Sequence, residues 1–173
     1  MPVLGKRSRF AVEFSVDENR GGVWLFGRIC FWIYDSMVGN LEEGTSLRDA
    51  LFQIEHVLRD RGRRSNPSLM VLPTATVAGM LDDGLFGGRD PANEQAALRH
   101  EWARHDVCPS LDIFDGWKLF LVESEARGRL IACRLEDPVV EYSLDAGEFD
   151  QILDAAASAL NELYEAERVR GGR

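Results

Sequence analysis

Between Glu136 and Glu167 the sequence contains no lysine and no arginine, while ten acidic residues fall in that stretch. The rest of the chain carries 19 acidic against 20 basic side chains, so the formal charge of -9 belongs to this one segment. The low pI of about 4.9 argues against direct binding to nucleic acid, because phosphates call for clustered Lys and Arg. Cysteine is scarce. Cys30, Cys108 and Cys133 are odd in number and widely spaced, giving neither a disulfide framework nor a zinc pattern. Cys30 and Cys133 lie in apolar runs, where a free thiol acts as a small hydrophobe in a reducing compartment. No run approaches the roughly 18 apolar residues that span a bilayer. The basic start, Met1 to Arg9, lacks the apolar stretch of a secretion signal. These absences point to a cytoplasmic chain with no membrane partner.

Catalytic signatures are equally sparse. The two histidines of His100-Glu101-Trp102-Ala103-Arg104-His105 are five residues apart. Two ligands on one helical face need a spacing of four, so they read as surface histidines. His56 falls among core positions of a helix and reads as a hydrogen-bonded structural residue. Gly84 to Gly88 lacks the Gly-Lys-Ser/Thr ending of a phosphate loop, and no Gly-x-Ser-x-Gly occurs. Asp82-Asp83 and Asp112 with Asp115 do not follow the calcium-loop pattern. No catalytic residue, metal site or cofactor is assigned.

What is present describes an α+β chain, read as one domain over residues 1–173 and long enough to bury a sizeable core. Phe10, Val12, Phe14 and Val16 alternate as a half-buried strand. Val23 to Tyr34 is apolar at nearly every position and reads as a long central strand. Pairing Val16 with Val23 places Glu13 and Arg28 on one face, which predicts an ion pair between them. Ser46, with Asp49 three residues on, caps a helix whose apolar positions are Leu47, Ala50, Leu51, Ile54, Val57 and Leu58. Leu69 to Leu72 reads as a short strand, residues 77–83 as a short helix, and residues 92–105 as a polar helix. Trp117 to Glu123 and Arg129 to Leu135 form a hairpin, and residues 139–144 a further strand. Trp24, Trp32, Trp102 and Trp117 mostly fill the core, with one or two able to face a partner.

The last helix, from about Ala146 to Arg168, is amphipathic. Phe149, Ile152, Leu153, Ala156, Leu160, Leu163 and Tyr164 make an apolar stripe for the sheet. Glu148, Asp150, Asp154, Glu162 and Glu165 take the other side, a candidate partner-binding surface. A charge field gathered in one place steers a cationic partner.

The run Trp24-Leu25-Phe26-Gly27-Arg28-Ile29-Cys30-Phe31-Trp32-Ile33, then Gly39-Asn40 and Gly44-Thr45-Ser46-Leu47-Arg48-Asp49, resembles the Imm42 family of bacterial immunity proteins. So does Phe10-Ala11-Val12-Glu13-Phe14, and the likeness is best from Arg9 to Gly62. The resemblance implies an α+β fold and a non-enzymatic protein of a polymorphic toxin system. Its partner would be a cognate toxin domain, with a basic nuclease the match for an acidic face. The rival readings are a small carboxylate- or metal-dependent enzyme and an adaptor or chaperone for a secreted effector.

Overall fold

The alternation of Phe10, Val12 and Phe14 produces the strand it implies, and that strand organises the N-terminal sheet. The computed structural model describes residues 1–88, 90–135 and 137–171, which form two compact units. Unit 1 takes in Met1–Arg59, Pro109–Asp115 and the C-terminal stretch from Glu148, and unit 2 takes in Asp60–Cys108 and Gly116–Gly147.

In unit 1, β1 (Val3–Gly5), β2 (Phe10–Val16), β3 (Phe26–Ile33) and β4 (Ser36–Val38) form an antiparallel sheet in that order, and β5 (Thr45–Ser46) also pairs with β3. Phe10, Val12, Phe14, Ile29, Phe31 and Ile33 make one buried face. Helix α1 (Leu47–Leu58) starts as its sequence signals, with the Ser46 hydroxyl accepting a bond from the Asp49 N–H at 3.2 Å. It buries Leu47, Ala50, Leu51, Ile54 and Val57. The long C-terminal helix α5 (Glu148–Gly171) lays Phe149, Leu153, Ala156 and Leu160 inward, packing on β2 and α1. The Phe149 ring stacks on Phe10 with centroids 4.6 Å apart.

The expected strand over residues 23–34 starts late. Gly21 and Gly22 both have left-handed backbones, Gly22–Trp24 forms a single 3₁₀ turn, and Leu25 follows with φ 52°. Val16 therefore pairs with Gly27 rather than Val23. A slip of four residues keeps every side chain on its face, so Glu13 and Arg28 do lie on the same side. They nevertheless take different partners, which corrects the predicted pair. Glu13, only 1 % exposed, accepts bonds from Arg7 at 2.6 Å and from the Trp32 indole N–H at 2.7 Å. The Arg7 guanidinium lies over the Trp32 ring at 4.6 Å. Arg28 is exposed and reaches Asp17 at 3.2 Å. A buried carboxylate must be answered at close range, and the neighbouring loop supplies Arg7 there.

In unit 2, β6 (Trp117–Glu123), β7 (Arg127–Arg134) and β8 (Val140–Asp145) form an antiparallel meander. Phe120, Val122 and Ile131 share a core with Leu69, Val77, Ala78, Leu81, Ala97 and Trp102. Around it lie α2 (Pro67–Met70), α3 (Thr74–Phe86) and α4 (Pro91–Arg99). The strand expected at Leu69 to Leu72 overlaps α2. Pro67 occupies the first turn, the Asn66 side chain caps it by accepting from the Leu69 N–H at 3.1 Å, and both are helix-start signals. The buried Arg129 guanidinium closes the other end, donating to the Leu69 and Met70 carbonyls at 2.7 and 3.0 Å. The polar helix expected over residues 92–105 stops at Arg99, because Glu101 adopts φ 52°, and Trp102–His105 continues as a 3₁₀ turn.

Two of the three histidines are placed differently from their reading in sequence. His56 is exposed on α1. His105 is fully buried, its Nδ1–H donating to the Leu121 carbonyl at 2.9 Å while Nε2 has no partner among the described residues. Burial pushes its pKa from 6.5 down to about 4, against the Leu121 bond and with help from the Arg104 and Arg64 charges. The folded ring is thus neutral where an unfolded one takes a proton. Its contribution to stability is complete above pH 6.5 and drains away as pH falls toward 4. Urea unfolding between pH 6.5 and 5 should show a loss of about 1.5 kcal/mol from this group, largely abolished in His105→Gln. Glu13→Ala, which strands the Trp32 N–H and Arg7, should destabilise the fold by about 2–3 kcal/mol at neutral pH, and Glu13→Gln, which keeps an acceptor, by less.

Candidate partner-binding surface

Helix α5 sorts its acids by their angle around the axis. Glu148, at its start, is held by Arg9 through two bonds of 2.8 and 2.5 Å. Asp150 is 2 % exposed, because it borders the stripe of Leu153 and Ala157 and turns inward with them. Asp154, Glu162 and Glu165 are exposed. The five acids proposed as one surface therefore divide, two facing inward or pinned and three facing out. A sixth, Glu167, lies seven residues after Leu160 and so in line with the apolar stripe. It is 7 % exposed and bonds Arg20 at 3.0 Å and Arg170 at 2.8 Å. That periodicity is readable in the sequence, where the charge count alone hides it.

The outward side of α5 adjoins the outward side of α1. Phe52 meets Tyr164 edge-on, centroids 5.9 Å apart. Further along, a groove of about 380 Å³ opens between Glu55 and Leu58 of α1, with the capping residue Arg59, and Asp154, Ser158 and Asn161 of α5. Later residues of α1 thus face earlier residues of α5, and the two helices run antiparallel. Leu58 and Ala157 give the groove its apolar part, Glu55 and Asp154 put a carboxylate on each wall, Arg59 adds a cation, and Ser158 and Asn161 add two neutral hydrogen-bonding side chains. Such a lining holds a polar or charged side chain by contact.

The thiols are unsuited to nucleophilic work. Burial pushes Cys30 up to about 12, with the Glu13 charge adding to the effect, and pushes Cys108 up to about 12 as well. Cys133 is raised from its ordinary value for the same first reason. Among the described residues no group of three His, Cys, Asp or Glu side chains is placed to hold a metal ion. No helix among them is long and apolar enough to cross a membrane.

Comparison with known proteins adds two findings. The family model for immunity protein 42, Imm42, matches residues 1–159, a wider span than the residues 9–62 on which the likeness is most visible. No curated protein matches the chain. Among solved structures, the crystal structure of CdiI from Burkholderia dolosa superposes with a TM-score of 0.71 at 18% identity, covering 91% of this chain and 99% of that one. At that identity the likeness concerns the fold. It agrees with the α+β architecture of antiparallel strands, a capped helix after the first strands and a long C-terminal helix.

Proposed function

Because the chain belongs to the Imm42 family of immunity proteins, we propose that it neutralises a cognate toxin domain in the cytoplasm by non-covalent occlusion, without chemistry of its own. The observation that carries the mechanism is the exposed acidic side of α5, formed by Asp154, Glu162 and Glu165. It stands on a unit with sixteen acidic and ten basic side chains. A negative field of this kind raises the rate of encounter with a basic surface and orients the approach. A nuclease fits that description, since its substrate groove must itself attract phosphates. Glu148 and Asp150 belong to the same helix, but their role in this reading is to fix it, through Arg9 and through burial.

Co-expression with candidate toxin domains tests the class, and protection from the toxicity of one of them is the expected result. Stopped-flow association then tests the mechanism. Neutralising Asp154, Glu162 and Glu165 together should slow association about tenfold at low salt and flatten its salt dependence. Glu148→Gln should instead lower thermal stability and leave the association rate nearly unchanged. An unchanged rate in the triple variant would remove the acidic side of α5 from the binding surface.

A further inference from the structure

We infer that the toxin docks on an aromatic–arginine ridge, Trp24 with Arg48 and Phe52 with Tyr164, and places a basic side chain in the adjoining groove at Glu55. This rests on the neutralisation reading above and adds where the affinity comes from. Trp24 is 47% exposed and Phe52 46% exposed, although both belong to a unit with a well-formed core. Large aromatic rings and arginines left at the surface are the residues that dominate binding energy at protein interfaces.

The backbone that presents Trp24 is strained and tightly held. Leu25 is fully buried with φ 52°, in the left-handed region that costs a non-glycine residue roughly 1–2 kcal/mol. Its carbonyl accepts from the Leu47 N–H at 3.0 Å. The Ser46 hydroxyl donates to the Trp24 carbonyl at 3.0 Å while accepting from the Asp49 N–H. One hydroxyl therefore ties the Trp24 turn to the start of α1. Strain that the surrounding structure over-determines is a mark of functional positions. A ring fixed before binding loses little further freedom on contact.

The charges around the ridge select the partner. The Arg48 guanidinium lies 3.8 Å from the Trp24 ring centroid and is bonded to Asp49 at 2.8 Å. Arg168 lies 5.9 Å from the Tyr164 ring centroid and is bonded to Glu165 at 2.9 Å. Both arginines are thus answered within the ridge. Glu55 and Glu162 form no ion pair among the described residues. Glu55 lines the groove one turn after Phe52 and has no ion-pair partner among the described residues, so it is the carboxylate that an incoming cation meets. The complementary surface is a basic one, with a Lys or Arg side chain flanked by apolar groups.

The test uses the full chain and the toxin domain against which co-expression shows protection, with affinity and rates read by surface plasmon resonance. Trp24→Ala and Phe52→Ala should each weaken binding about 30-fold, mainly through faster dissociation. Glu55→Gln should weaken it several-fold and reduce its salt dependence. Phe52 is exposed on a regular helix, so Phe52→Ala keeps the test valid if Trp24→Ala disturbs its turn, and thermal melts verify that each variant folds. Wild-type affinity in both folded aromatic variants overturns the ridge and leaves neutralisation standing. Failure of the wild-type protein to bind or protect overturns neutralisation and the ridge together.

Discussion

The apolar stripe of α5 sets the rest. Phe149, Leu153, Ala156 and Leu160 are buried on β2 and α1, and Phe149 locks against Phe10. Once that contact is made, the rotation of the helix is fixed, and with it the direction of every other side chain on it. The contribution is large, since each of the buried Phe and Leu side chains is worth about 1.5–3 kcal/mol. An acid that falls on the stripe cannot turn away. Glu167 does fall there, and the fold accommodates it with Arg20 and Arg170. The outward acids are those left over by this constraint.

The electrostatics of the chain therefore differ from its charge count. The segment without basic residues looks like an uninterrupted negative strip in one dimension. In three dimensions, arginines distant in sequence come to meet it, Arg9 at Glu148 and Arg20 at Glu167. What remains outside is a smaller acidic area next to exposed rings. Such a surface combines long-range attraction with short-range apolar contact. The first governs how often a partner arrives and the second how long it stays.

Much of this was legible in the residues. The alternation in β2, the Ser46 cap, the β6–β7 hairpin and the stripe of α5 follow from period and end signals alone. The failures have identifiable causes. The turn before β3 lay hidden because Val23, Trp24 and Leu25 are apolar, and that pattern outweighed Gly21-Gly22 as a signal. The apolar pattern alone does not tell which of the four tryptophans faces out, and Trp24 is the one that is exposed among the large hydrophobics. Leu69 to Leu72 is apolar and short, where period cannot separate helix from strand, and Asn66-Pro67 was the better guide. The partner of Glu13 could not be read from strand neighbours, because Arg7 arrives from a loop. His105 was judged as half of a motif that its spacing excludes, and its burial depends on the 3₁₀ turn begun at Glu101.

Unit 1 is gathered from three separated stretches of chain, and the last of them is α5. Its core lacks Phe149, Leu153 and Leu160 until that stretch has been made. During synthesis, then, the sheet emerges early and waits with its apolar face uncovered while more than eighty further residues are added. The side chains of α1 that line the groove are thus made long before their counterparts on α5, and the groove exists only once both helices are in place.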